Sequence, residues 1–423
     1  MPLSPISKIL KNPSLWLVAL VVFAVVKPAK APDINRYMGM GVWAFAAVVF
    51  LGMFLIRGRC LDYWQRYRKE IILVAAFLFL HLLSLLLNLD VYPDFKALVF
   101  YGIAPLAVFS LFGMAWGIFS IYPVSRGICV PVFFLLIHGV ALGQFFDYEL
   151  FRPITSHTIA ADIMHPGYIT SVFPHHTIYG TVAAVNIIYG LTLLFGKSLS
   201  RDEKYLWLAV ISMAFVGGAL SHSRNFLWTL GFGVLPLFFF FERRRLGLWL
   251  ATLLLAVAAF HVVAYYSPGI QRQYGRALPY LGKLAKPAEI EGGDFVPRFS
   301  SQGLTGRPEL WRRAYGQWQQ APWFGKGPGS FNLSGGNLYS RQFNVHCFYL
   351  QVLLDTGIVG FIVLAVLLFL LLKRARLAGI LPVFVAVLAS LVFDNFLDHS
   401  MAWAILMAWF VQPQSLPENI GRG

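Results

Sequence analysis

The chain has 423 residues, 58% of them hydrophobic and only 13% charged. A soluble surface needs about 25% charged residues, which excludes a soluble enzyme, and so oily a chain is not a disordered one. The net charge is +15, but the basic residues stand in short clusters between apolar runs, a pattern of membrane topology and not of a nucleic-acid groove. Three distant cysteines, Cys60, Cys129 and Cys347, offer neither a disulfide framework nor a zinc spacing.

Allowing roughly 20 apolar residues per crossing, and fewer where the ends snorkel, the sequence predicts an all-α polytopic membrane protein with about twelve spans. They fall near 13–27, 37–56, 71–89, 97–119, 128–146, 178–196, 205–222, 225–241, 246–265, 346–372, 378–393 and 400–412. The first follows Lys8 and Lys11 and precedes Ala29-Lys30-Ala31, a layout shared with signal peptides but read here as a span. Basic clusters orient the chain: Arg57, Arg59, Arg66, Arg68 and Lys69; Lys197, Arg201 and Lys204; Arg243, Arg244 and Arg245; Lys373, Arg374 and Arg376. Twelve spans with both termini cytoplasmic put all four clusters inside, as short loops require.

Three regions follow: residues 1–265 with spans 1–9 and an outer loop at 147–177, a long outer loop at 266–345, and residues 346–423 with spans 10–12 and a cytoplasmic tail. Connections are typically about 4–6 residues long, and much longer ones are usually functional. The 266–345 loop holds Arg272, Arg276, Lys283, Lys286, Arg298, Arg307, Arg312, Arg313, Lys326 and Arg341 against Glu289, Glu291, Asp294 and Glu309, an excess of +6. Topology does not require positive charge there, so an anionic partner is expected, either a phosphate group or membrane lipid headgroups.

Ser221-His222-Ser223-Arg224-Asn225 leaves almost no connector between spans 7 and 8, and sets Arg224 at the outer membrane edge as a candidate site residue. In the long loop, Gly306-Arg307-Pro308-Glu309-Leu310-Trp311 places a proline at a helix start. Leu310 to Trp318 then reads as a short amphipathic interfacial helix with Trp311, Tyr315 and Trp318 at helical spacing, a stripe better suited to packing than to chemistry. Arg307 stands just ahead of it, where its charge and the free N–H groups of the helix start converge on one anion. Gly325-Lys326-Gly327-Pro328-Gly329-Ser330 lacks the Walker spacing and reads as a loop former. His346, at the outer end of span 10, is a candidate general base.

Seven histidines lie toward the outer face: His157, His165, His175, His176, His222, His346 and His399. None makes a metal-binding i, i+4 pair, and no metal is expected. The turn acids Asp90 and Asp94, and Asp394 and Asp398 beside His399, suit turn hydration better than a divalent cation. His81 and His138, deep in spans, are expected as core hydrogen-bond partners.

Three pieces together resemble the O-antigen ligases, within the wider O-antigen ligase/polymerase group: Ser-x-Ser-Arg at a helix end, Gly-Arg with Leu-Trp following in a long outer loop, and His346 followed by Gly357-x-x-Gly360. Two positions depart from the pattern: Leu310 comes three residues after Arg307, and Cys347 stands where the family usually carries Asn, Ser or Gln. The resemblance implies a GT-C-like membrane glycosyltransferase of the bacterial inner membrane, with its site facing the periplasm. It would transfer polysaccharide from undecaprenyl pyrophosphate to a sugar hydroxyl of lipid A-core, with inversion and without cofactor, metal, nucleotide or nucleic acid. Arg224 and Arg307 would hold the pyrophosphate, with Arg312, Arg313, Ser223 and His222 as helpers, and His346 would be the base. A polymerase joining repeat units on the same carrier is the alternative. A lipid-linked glycan transporter is a more distant one, expected to show paired repeats or broken helices with midplane charges.

Overall fold

A computed structural model describes residues 60–103, 129–146, 169–171, 173, 176–196, 199–221, 223–240, 307–334, 345–377 and 379–393. The predicted spans 13–27, 37–56, 246–265 and 400–412 lie outside these residues, as do most of 97–119 and much of both long outer loops. The described residues form helices and turns, with no strand among them. The principal helices are α1 (Cys60–Leu87), α2 (Cys129–Phe146), α3 (His176–Gly196), α4 (Arg201–Leu220), α5 (Arg224–Phe240), α6 (Arg307–Trp318), α7 (Ser330–Leu333), α8 (Phe348–Leu377) and α9 (Leu381–Ser390). Among the described residues, four segments are long and apolar enough to cross a membrane: Tyr67–Leu87, His176–Phe195, Arg201–Leu220 and Phe348–Leu377. The described residues are therefore all-helical and consistent with a membrane protein.

Helix α3 is the hub. It is almost wholly enclosed and packs against α4, α5 and α9, while α4 also carries α2. Glycines allow the close approach: a Cβ at Gly180 would meet Ser221 and Ser223, and one at Gly190 would meet Ile211 and Trp207. Ser200 and Glu203 form a capping box at the start of α4, satisfying N–H groups that a helix leaves unpaired. α8 joins this bundle to the rest, touching α9, α6 and α1.

Contacts sort the helix ends. Arg374, near the end of α8, pairs with Glu70 near the start of α1 and lies 4.6 Å from the centre of the Tyr67 ring. At the other end, Ser84 of α1 donates to the Asp355 carbonyl of α8 at 2.5 Å. These helices are antiparallel, so the basic clusters around Arg68 and Arg374 share one end. In the hub, Asn225 at the start of α5 reaches Thr181 near the start of α3 and the Ser390 carbonyl at the end of α9. The Phe348 amide donates to the Leu391 carbonyl at 2.9 Å. The starts of α3, α5 and α8 and the end of α9 thus gather together, away from Arg374.

Two predicted helices need correction. α1 begins at Cys60, not near residue 71, with a kink at Tyr67 where the candidate span starts. Span 10 is not one regular helix: α8 is broken at Gly357, whose φ of 67° and ψ of −170° are not helical. The freed backbone groups are taken by the loop after α6. Ile358 donates to the Pro322 carbonyl at 2.8 Å, Val359 to Trp323 at 3.3 Å, and the Lys326 amide to Leu354 at 2.8 Å. Such a break is tolerated in a membrane protein only where neighbouring structure satisfies the backbone in this way.

Candidate active site

Arg224 is the first residue of α5. Its neighbours Ser223, Asn225 and Phe226 are buried, whereas Arg224 itself is exposed. The segment turns this way because Gly180 leaves room for Ser221 and Ser223 against α3, and Asn225 is held by Thr181 at 2.9 Å. The Ser223 hydroxyl is buried, with no hydrogen-bond partner among the described residues. His222 lies outside the described residues.

Arg307 is the first residue of α6, not the residue ahead of it. Both arginines therefore open helices, and a helix start presents unpaired N–H groups and the positive end of the helix dipole to an anion. Arg312 is exposed. Arg313 is engaged within the loop: its guanidinium donates to the Ser334 carbonyl at 3.0 Å and lies 5.5 Å from the Phe331 ring centre. That charge ties α6 to α7.

His346 sits two residues before α8 with a φ of +52°. A non-glycine residue in the left-handed region is uncommon, although histidine enters it more readily than most. The neighbours hold it there. Val345, Leu350, Leu354 and Cys347 pack with Leu310, Trp311, Ala314, Trp318 and Phe331 in one small core beneath α6. The Trp311 indole donates to the Val345 carbonyl at 3.0 Å, fixing α6 to the residue before His346. In the aromatic stripe, Trp311 and Trp318 serve this core, while Tyr315 is exposed and meets Trp318 at 5.3 Å.

An aromatic relay connects α5 to the same place. Trp228, one turn after Arg224, meets Phe393 edge-on at 4.7 Å, and Phe393 lies 6.1 Å from Trp311, one turn after Arg307. The elements carrying Arg224, Arg307 and His346 thus meet at the end of the molecule away from Arg374. Chemically, arginines at two helix starts suit an anionic leaving group, and an imidazole on an adjoining element suits removal of a hydroxyl proton.

The remaining candidates fall elsewhere. His138 lies in the hub between Tyr179 at 3.1 Å and Asn186 at 2.8 Å, and His81 packs edge-on to Phe77. Asp94 caps the short turn at Phe95–Ala97, accepting from the Ala97 amide at 2.6 Å. No group of three His, Cys, Asp or Glu that could hold a metal comes together among the described residues. His157, His165, His175, Asp394, Asp398 and His399 lie outside them.

Sequence reasoning passed over Asp355, a carboxylate that is only 2% exposed beside the break in α8. The available signal was its place inside an otherwise apolar predicted span, where an acid is exceptional. It also missed the relay, since Trp228 and Phe393 read as ordinary membrane aromatics.

No curated protein matches the chain. Residues 208–365 match the family model described as O-antigen ligase. That stretch runs from α4 into α8 and contains Arg224, Arg307 and His346, and its match supports membership of the O-antigen ligase/polymerase family.

Proposed function

We propose that the protein is an O-antigen ligase of the bacterial inner membrane, with about twelve spans in a GT-C-like arrangement, both termini cytoplasmic and its site facing the periplasm. The donor is polysaccharide on undecaprenyl pyrophosphate, and the acceptor is a sugar hydroxyl of lipid A-core. His346 takes the hydroxyl proton as the oxygen attacks the anomeric carbon. The bond from that carbon to the pyrophosphate oxygen breaks on the opposite face, inverting the centre. Charge grows on the departing pyrophosphate, and Arg224 and Arg307 stabilise it, assisted by the first-turn N–H groups of α5 and α6. Arg312 is a further cation at the rim. The lipid tail lies among helices while glycans approach from the aqueous side, and neither metal nor nucleotide is required.

The observation that carries this reading is the bond from Trp311 to Val345. It joins the helix opened by Arg307 to the residue before His346, the arrangement that leaving-group binding and base catalysis need together. The end that gathers these groups lies away from Arg374 and its cationic cluster, in keeping with a periplasmic site.

A polymerase on the same carrier would use the same arginines and remains the second reading, because the family holds both activities. The break in α8 is a feature that transporters share, but in a transporter the unwound backbone lines an ion or substrate path. Here Leu354, Asp355, Ile358 and Val359 give their free backbone groups to the chain's own Lys326, Ser84, Pro322 and Trp323. A deletion strain tests the function. Loss of a ligase leaves bare core and long glycan accumulating on the lipid carrier. Core capped with a single repeat would identify a polymerase, and no glycan outside the inner membrane would identify a transporter.

A further inference from the structure

The buried Asp355 has no part in the chemistry above, yet the chain maintains an acid where burial makes one costly. Its Oδ1 accepts from the Gly329 amide at 3.1 Å and from the Gln351 side-chain amide at 2.7 Å. Its backbone carbonyl accepts from Ser84. Around it the loop after α6 is held at several further points. Asn88 donates to the Gly325 carbonyl at 3.4 Å and the Tyr92 hydroxyl to the Pro328 carbonyl at 2.7 Å. Gly325, Gly327 and Gly329 all have positive φ. A Cβ at Gly325 would lie 2.5 Å from the Leu354 carbonyl oxygen, so backbone meets backbone there without a side chain between.

The same loop begins at the end of α6, where the Trp318 indole donates to the Pro322 carbonyl at 3.2 Å. Asp355 in turn belongs to the helical segment that starts just after His346. A carboxylate that grips Gly329 therefore couples the loop of the arginine helix to the helix of the histidine. Bonds from N–H groups to a charged acceptor are about twice as strong as neutral ones.

We propose that Asp355 is a positioning residue for glycosyl transfer: its carboxylate clasps the 319–330 loop into the break of α8 and thereby sets α6, with Arg307, against His346. The proposal rests on the transferase reading for the reaction it serves, but not for the clasp itself.

The test compares full-length wild type, Asp355→Asn and Asp355→Ala in lipid nanodiscs by amide hydrogen exchange and by steady-state transfer from the lipid-linked glycan. Asn preserves shape and one acceptor while removing the charge. Exchange across 322–329 should rise about tenfold in Asp355→Asn and about a hundredfold in Asp355→Ala. The turnover number should fall about tenfold or more in Asp355→Asn, with KM for the donor within about twofold, since misalignment weakens the transition state and not ground-state binding. A loop as protected as wild type in both variants would overturn the proposal. So would an opened loop with wild-type turnover. If Asp355→Ala fails to insert, the near-isosteric Asn variant decides. A wild-type protein that transfers nothing would refute the transferase reading instead, and exchange alone would then decide the clasp.

Discussion

Replacing Gly357 by alanine attacks the break in α8 from the opposite side. At φ 67° and ψ −170° the residue occupies a region essentially confined to glycine. A Cβ there would fall on the Trp323 carbonyl and against the Phe324 amide nitrogen. Holding alanine in that conformation costs about 1–3 kcal/mol. Relieving the clash by moving the loop gives up the bonds from Ile358 to Pro322 and from Val359 to Trp323, worth about 1 kcal/mol each. The total of about 3–5 kcal/mol corresponds to a hundredfold or greater rise in local opening. Hydrogen exchange across 319–330 measures it directly. Gly316→Ala is the control: nothing lies within 4 Å of its added Cβ, and in a helix interior the change should be neutral or stabilising by about 0.5–1 kcal/mol. If Gly357→Ala exchanges like Gly316→Ala, the account of the break is wrong.

Arg224→Ala, Arg307→Ala and His346→Ala should each lose transfer by about a hundredfold or more while the protein still inserts; near-normal turnover by the purified His346 variant would remove it as the base. Transfer should proceed undiminished in excess chelator, and a strict Mg²⁺ requirement would bring Asp90, Asp394 and Asp398 back as ligands. Burial first, and the Asp355 charge second, raise the Tyr92 phenol above its ordinary range. The folded state therefore holds that proton more tightly than the unfolded chain. Its stabilisation is complete below the ordinary phenol value of about 10 and declines as pH rises above it. Alkaline loosening of the 325–330 loop should then be weaker in Tyr92→Phe, measured by exchange above pH 10 against the same variant near neutrality.

The hub helices were legible because apolar runs and caps act locally. The predicted spans at 178–196 and 205–222 are found as His176–Gly196 and Arg201–Leu220, the latter starting at its Ser200 cap. Arg307-Pro308 likewise announced a helix start, and the helix there runs to Trp318 as the aromatic spacing suggested. The break at Gly357 was not legible, because hydropathy counts residues and cannot see a distant loop supplying the missing hydrogen bonds. Arg313 illustrates the same limit: in sequence it equals Arg312, and only folding reveals its bond to Ser334. The left-handed backbone at His346 is equally a product of packing, since Val345 and Cys347 anchor on either side of it.

The most direct test of the central claim is reconstitution of the purified protein in liposomes with a polyprenyl-pyrophosphate-linked glycan and lipid A-core, followed by identification of the product. The account predicts glycan joined to core with inverted anomeric configuration, together with released undecaprenyl pyrophosphate, and no such product from the Arg307→Ala protein. Longer glycan still on the carrier with core unmodified, or retained anomeric configuration, would contradict it.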